Sequence, residues 1–190
     1  MGLNMAILNI ATLITVPKNT MMQLIRVTIM ALIVSLSAAC SSEFLQKPAP
    51  VVSFKTIQYQ TKPSIVFDMA SLKGQVTLVN FWATSCTTCV AEMPMLAKVY
   101  SDYAYKGYRT IAVAMDYDSI EFVRNFAVSR ALPFDVVHDT DGSLAQAFNQ
   151  VKVTPTSYLI DSQGRIVKRY LGEIKETDLT QAIDSLLPKK

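Results

Sequence analysis

The stretch that most restricts what this chain can fold into is Val76–Pro94, reading VTLVNFWATSCTTCVAEMP. Its first part, Val76–Phe81, is β-rich and too short for a capped helix, which predicts a buried parallel strand. Trp82–Ser85 then reads as a turn. Cys86-Thr87-Thr88-Cys89 opens a helix carried on by Val90, Ala91, Glu92, Met95, Leu96 and Val99. Free amides and the positive dipole end of a helix stabilise a thiolate on the first cysteine. The second cysteine, one turn inside, can close a disulfide back onto it. The spacing therefore predicts a dithiol that cycles.

Composition leaves room for one domain with an extension, since 51% of the 190 residues are hydrophobic. The net charge of +3 is small and partly confined to the leader. Lys18 and Arg26 are the only charges before Cys40, and removing them from the 18 basic residues leaves 16 against 15 acidic ones. Basic residues are scattered, which argues against a nucleic-acid partner. The three cysteines sort into Cys40, which ends an apolar leader, and the pair Cys86 and Cys89.

Residues 1–39 contain no acid and two apolar runs, Leu3–Val16 and Val27–Leu36, both shorter than the roughly 20 residues of a membrane-spanning helix. Arg26, the second run and Ser37-Ala38-Ala39 have the layout of a signal peptide. Small residues ahead of a cysteine resemble a bacterial lipobox, so lipidation at Cys40 and a membrane partner through that anchor are expected, although Ser37 departs from the usual aliphatic residue. A start at Met21 or Met22 gives the leader a compact layout, with residues 1–20 an over-extended start. Residues 40–50 read as a tether and 51–190 as the folded domain.

Val51–Ile57 and Ile65–Phe67 suggest an N-terminal hairpin. Thr110–Met115, Pro133–His138, Ser157–Ile160 and Ile166–Tyr170 read as strands. Ser119–Arg130, Ser143–Phe148 and a segment from Thr177 or Asp178 to Leu187 read as helices, with Ser119 as a cap. Strands alternating with helices and ending in a hairpin plus helix argue an α/β fold, a central mixed β-sheet flanked by helices, with an N-terminal β-hairpin extension.

Four stretches resemble the thioredoxin superfamily and, within it, the TlpA/ResA-like thiol:disulfide oxidoreductases of bacterial envelopes. They are Val79-Asn80-Phe81-Trp82-Ala83-Thr84, Glu92-Met93-Pro94, Val151-Lys152-Val153-Thr154-Pro155-Thr156, and Ile160-Asp161 through Gly164-Arg165-Ile166. The resemblance spans about Val51 to Leu187 and implies a thioredoxin-like fold. It departs from the family at Ser85, where Trp is usual, at Thr87-Thr88, and at Val90, where a basic residue is common. These departures change the surface offered to partners and leave the redox pair intact.

The resemblance implies that Cys86 attacks a substrate disulfide, that Cys89 resolves the mixed disulfide, and that Glu92 handles the Cys89 proton. Asn80 stands where thioredoxin carries an aspartate and cannot titrate. The resemblance makes Thr154-Pro155 a cis bond beside the cysteines and groups Thr154, Pro155 and Trp82 on the substrate side. Phe81 and Trp82 also read as packing residues, with Trp82 near the disulfide. No cofactor and no metal ligand set is expected, and the sole histidine, His138, reads as structural. Implied partners are disulfide-containing envelope proteins and a membrane dithiol electron donor, in the periplasm or its equivalent.

The leading expectation is a membrane-tethered reductase, because Thr87-Thr88 supplies no positive charge of the kind that makes a pair strongly oxidising. The alternatives are a disulfide oxidase or isomerase, and a copper- or metal-binding module. One CxxC is only half of a tetrahedral zinc site, and Val90 after Cys89 excludes a c-type haem attachment motif.

Overall fold

A computed structural model describes residues 47–188. The leader, Cys40 and the tether up to residue 46 lie outside the described residues. The tether's remaining part is not loose. Ala49 N–H donates to the Gly164 carbonyl at 2.8 Å, Ile166 N–H donates to the Lys47 carbonyl at 2.9 Å, and Pro48 bridges Arg165. Among the described residues, Lys47–Ala49 thus already pair with the edge of the hairpin at Gly164–Ile166.

The expected hairpin forms from β1 (Ser53–Lys55) and β2 (Val66–Asp68), paired antiparallel with Phe54 stacked on Phe67. The main sheet contains β3 (Val76–Trp82), β4 (Tyr108–Ala114), β5 (Asp135–His138), β6 (Thr156–Ile160) and β7 (Ile166–Leu171), in the order β5-β4-β3-β6-β7. β3, β4 and β5 are parallel, while β6 and β7 run antiparallel to their neighbours. The sheet is therefore mixed, as the alternation of elements predicts.

Four helices join it: α1 (Thr87–Tyr103), α2 (Ile120–Ser129), α3 (Ser143–Ala147) and α4 (Glu176–Leu186). Alternation along the strands sends successive side chains to opposite faces. Val76, Leu78 and Trp82 of β3 join Leu96 and Val99 of α1, Val123 of α2 and Leu179 and Ile183 of α4. Val79 and Phe81 point the other way, to Phe54, Met69, Leu144 and Phe148. The two cores share β3, all seven residues of which are buried.

Local chemistry accounts for the element ends. After α1 the chain makes a short 3-10 turn, Ala104–Lys106, and leaves it through Gly107 at φ +95°, where any side chain would be strained. Ser119 occupies the N-cap position of α2, but its hydroxyl bonds the Glu121 carboxylate at 2.7 Å rather than a backbone amide. Asp139 caps α3 instead, accepting from Leu144 and Ala145 N–H at 2.9 and 2.8 Å.

The segment after β1 closes the free edge of β5, with Ile57 N–H donating to the Val136 carbonyl at 2.8 Å. Tyr59, 3% exposed, locks it by donating its hydroxyl to the Phe134 and Leu132 carbonyls. Lys62 donates to the Phe134 carbonyl as well. Removing the hydroxyl leaves the Leu132 carbonyl buried without that donor. Tyr59→Phe is expected to lower stability by about 1–2 kcal/mol in urea unfolding of the disulfide form, and an unchanged midpoint would show that the latch adds nothing.

Candidate active site

The strand order fixes where a site can form. From β3 the chain builds outward to β4 and β5, then returns across the sheet to place β6 on the other side of β3. In open sheets the crevice at such a switch point, beyond the carboxyl ends of the parallel strands, is where ligands bind. Here the exit of β3 leads to Cys86, and the entry of β6 follows Pro155. Phe81 pairs with Thr156, so the two segments meet.

Cys86 is the N-cap residue of α1, and its sulfur accepts from the Cys89 N–H at 3.2 Å. Cys86 and Cys89 form a disulfide with their Cα atoms 5.2 Å apart. Cys86 is half-buried and Cys89 fully buried, so an incoming sulfur can reach only the first. The Thr154–Pro155 bond is cis, as the resemblance implies, and the Thr154 carbonyl oxygen lies 3.7 Å from Cys86 Sγ. Pro155 is fixed from behind by Gly172 N–H, which donates to its carbonyl at 2.9 Å.

Glu92 lies one turn beyond Cys89 and is 2% exposed. Its Oε1 accepts from Ile174 N–H at 2.7 Å, and its Oε2 lies 3.4 Å from Asn80 Nδ2. Asn80 also donates to Ser157 Oγ at 2.9 Å. Burial pushes the Glu92 carboxyl above the usual carboxylate range. The Ile174 and Asn80 bonds pull the other way, and the Glu173 charge adds to the rise.

Trp82 is fully buried, and its ring centroid lies 5.1 Å from that of Phe126. It shares a core with Cys86 and Cys89. The side chain packs as its reading as a core residue near the disulfide implies, and its ring has no exposed surface. His138 Nε2 donates to the Asp118 carbonyl at 2.9 Å. Among the described residues no three His, Cys, Asp or Glu side chains gather where they could hold a metal ion. Of the tyrosines near the end of α1, Tyr108 is buried and Tyr105 is exposed.

The sequence reading passed over Asp118. It is 8% exposed, and its carboxylate holds Thr84, two residues ahead of Cys86. An acid directly after a strand ordinarily reads as a solvated loop residue, and nothing in its spacing marks it. The Ile174 amide was equally hidden, since a backbone donor leaves no trace in a sequence, and the Ser157 hydroxyl that accepts from Asn80 reads as an ordinary strand residue.

Because Glu92 has its carboxyl pKa raised by folding, its contribution to stability is fully present below the unfolded value and is lost as pH rises through the folded one. Glu92→Gln is therefore expected to unfold at higher urea concentration than the wild type at pH 7, with the gap closing near pH 4. Parallel curves at both values would remove burial as the dominant influence on this group.

A family model described as Redoxin matches residues 46–186. Thiol-disulfide oxidoreductase ResA of Bacillus thuringiensis subsp. konkukian (strain 97-27) is 31% identical over 121 residues, 64% of this chain and 69% of that relative. Among solved structures, a putative thioredoxin from Neisseria meningitidis aligns with a TM-score of 0.63 at 38% identity, covering 74% of this chain and 90% of that one. A putative thiol:disulfide interchange protein DsbE from Chlorobium tepidum gives 0.65 at 26% identity, covering 76% and 98%.

Proposed function

This chain belongs to the redoxin family of the thioredoxin superfamily and is a thiol-disulfide oxidoreductase with a Cys86–Cys89 active-site pair; from that premise we propose that it works as a reductant of disulfides in envelope proteins. The observation that carries this reading is the pairing of a half-buried Cys86 with the Thr154 carbonyl 3.7 Å away, above a buried Cys89 and a buried Glu92.

In the proposed cycle the reduced Cys86 thiolate attacks one sulfur of a substrate disulfide. A mixed disulfide forms and the other substrate sulfur leaves as thiolate. Among the described residues the Thr154 N–H has no acceptor, so an extended substrate segment can pair with the Thr154 main chain. The Cys89 thiol then gives its proton to Glu92 and attacks Cys86 sulfur. The Cys86–Cys89 disulfide forms, and the substrate departs as a dithiol carrying two electrons and, after protonation, two protons. A membrane dithiol donor would restore the reduced pair by the same exchange in reverse.

Glu92 suits the acceptor role because burial has already raised its affinity for a proton. Asn80 suits both forms of it: its amide donates to the carboxylate and, turned over, accepts from the acid. Thr87-Thr88 places no cation between the cysteines, which favours a reducing over an oxidising potential. The leader layout supports an envelope location with a lipid on Cys40.

A redox titration of residues 41–190, followed by Trp82 emission, is expected to give a two-electron transition at or below about −250 mV. A value near about −120 mV would reverse the direction of electron flow. Glu92→Gln is expected to slow the resolving step by about 100-fold while leaving Cys86 attack unchanged, as read by mixed-disulfide accumulation. For the anchor, cells fed a tritiated fatty acid are expected to label the wild-type precursor and not Cys40→Ala, and label persisting in the variant would exclude Cys40.

A further inference from the structure

Thr84, in the turn between β3 and Cys86, is held by the loop that follows β4. Asp118 Oδ2 accepts from the Thr84 N–H at 2.5 Å, and Oδ1 accepts from the Thr84 hydroxyl at 2.6 Å. His138 bonds the carbonyl of Asp118, not its carboxylate. Among the described residues no Lys, Arg or His forms an ion pair with that carboxylate. Asp118 is thus a buried negative charge matched only by two neutral donors. Two residues of backbone span at most about 7 Å, so the carboxylate lies within about 10 Å of the Cys86 Cα.

We propose that Asp118 is a positioning residue with a second, electrostatic effect: it fixes the turn ahead of Cys86 and, as an unpaired charge, opposes the Cys86 thiolate. The proposal rests on the reading of Cys86 as the attacking sulfur. It supplies what the pair otherwise lacks, a residue that holds the potential down. The Cys89 N–H and the start of α1 favour the thiolate, and Asp118 offsets them. The proton concerned leaves Cys86 for solvent, and no electron moves in that step.

Other ionisable groups on the elements around this corner are Glu92 of α1, Asp116 of the same loop, Glu121 and Arg124 of α2, His138 of β5, Lys152 before Pro155 and Glu173 after β7. Of these only Glu92 is as buried as Asp118, and it lies on the Cys89 side of the pair. Like charges at this separation and an effective dielectric of about 20 to 40 change the thiolate fraction by about fourfold to fifteenfold.

The test is the pH profile of iodoacetamide alkylation at Cys86 in the reduced protein, with the modified peptide identified by mass. Asp118→Asn can keep both contacts to Thr84, since its oxygen accepts from the N–H and its amide donates to the hydroxyl. The charge alone is removed. Its midpoint is expected to fall by about 0.6 to 1.2 pH units, the shift equivalent to that fold-change. Asp116→Asn, which removes an exposed charge from the same loop, is expected to move it less. Asp118→Ser serves if the amide disturbs folding, as judged by Trp82 emission. A folded neutral variant with an unchanged or raised midpoint overturns the proposal. A wild-type protein without a reversible two-electron transition would instead overturn the functional reading beneath it.

Discussion

Everything in this molecule hangs on β3 being buried along its whole length. It bonds β4 in parallel on one side and β6 antiparallel on the other, and contributes side chains to both hydrophobic layers. Fully burying one large apolar side chain is worth about 1.5–3 kcal/mol, and β3 supplies several. A strand so constrained cannot slip, because a one-residue shift would exchange its two faces. Its exit is consequently a fixed point from which the turn 82–85, Cys86 and the first turn of α1 take their positions. The same antiparallel pairing brings Pro155 to that exit, so the half-buried sulfur and the cis-proline segment are placed by one element.

Two opposing influences meet at Cys86. The N-terminus of α1 and the Cys89 amide favour negative charge there, by about 0.3–1 kcal/mol in exposed settings and up to about 2 when partly buried. The sulfur is half-buried, so the effect belongs in the upper part of that range. A positive side chain would add to it and push the pair toward oxidising behaviour, and the positions between the cysteines hold only threonines. The balance is therefore set by groups outside the CxxC motif. A reading confined to the four-residue motif would miss them.

The strong hydrophobic pattern made the fold legible. Val76–Phe81, Thr110–Met115 and Ser157–Ile160 each show as strands because burial on both faces leaves apolar runs that short polar segments interrupt. Cys86 and Cys89 were legible from their spacing at a strand-to-helix junction, whereas the proline ahead of β6 was legible only through the family resemblance. Bounds were less so: β4 begins at Tyr108, earlier than its apolar run, because pairing with Val76 extends it. The pairing of Lys47 and Ala49 with the hairpin edge was not legible, since Pro48 and Pro50 look like linker residues whether or not a partner edge waits for them. Trp82 read chiefly as a packing residue near the disulfide, and at the end of β3 it is buried against Phe126 of α2. Asp118 was illegible because its burial depends on Thr84, which is distant in sequence.

The site separates two proton-related tasks that a single buried aspartate in the sheet would combine. With Asn80 on β3 and Glu92 on α1, the titrating group is carried by the same helix as Cys89, while the strand offers a group that is neutral at every pH. Glu92 gains its fixed geometry from Ile174 N–H, whose chain segment also holds Pro155 through Gly172. A proton arriving on Glu92 weakens a charge-assisted bond to that segment, worth about 1.5–3 kcal/mol when formed. In the proposed cycle the proton that Glu92 takes up therefore acts on the same segment that bonds Pro155. That cycle sets the order, because it has the carboxylate lose its charge as the mixed disulfide is broken and the substrate leaves.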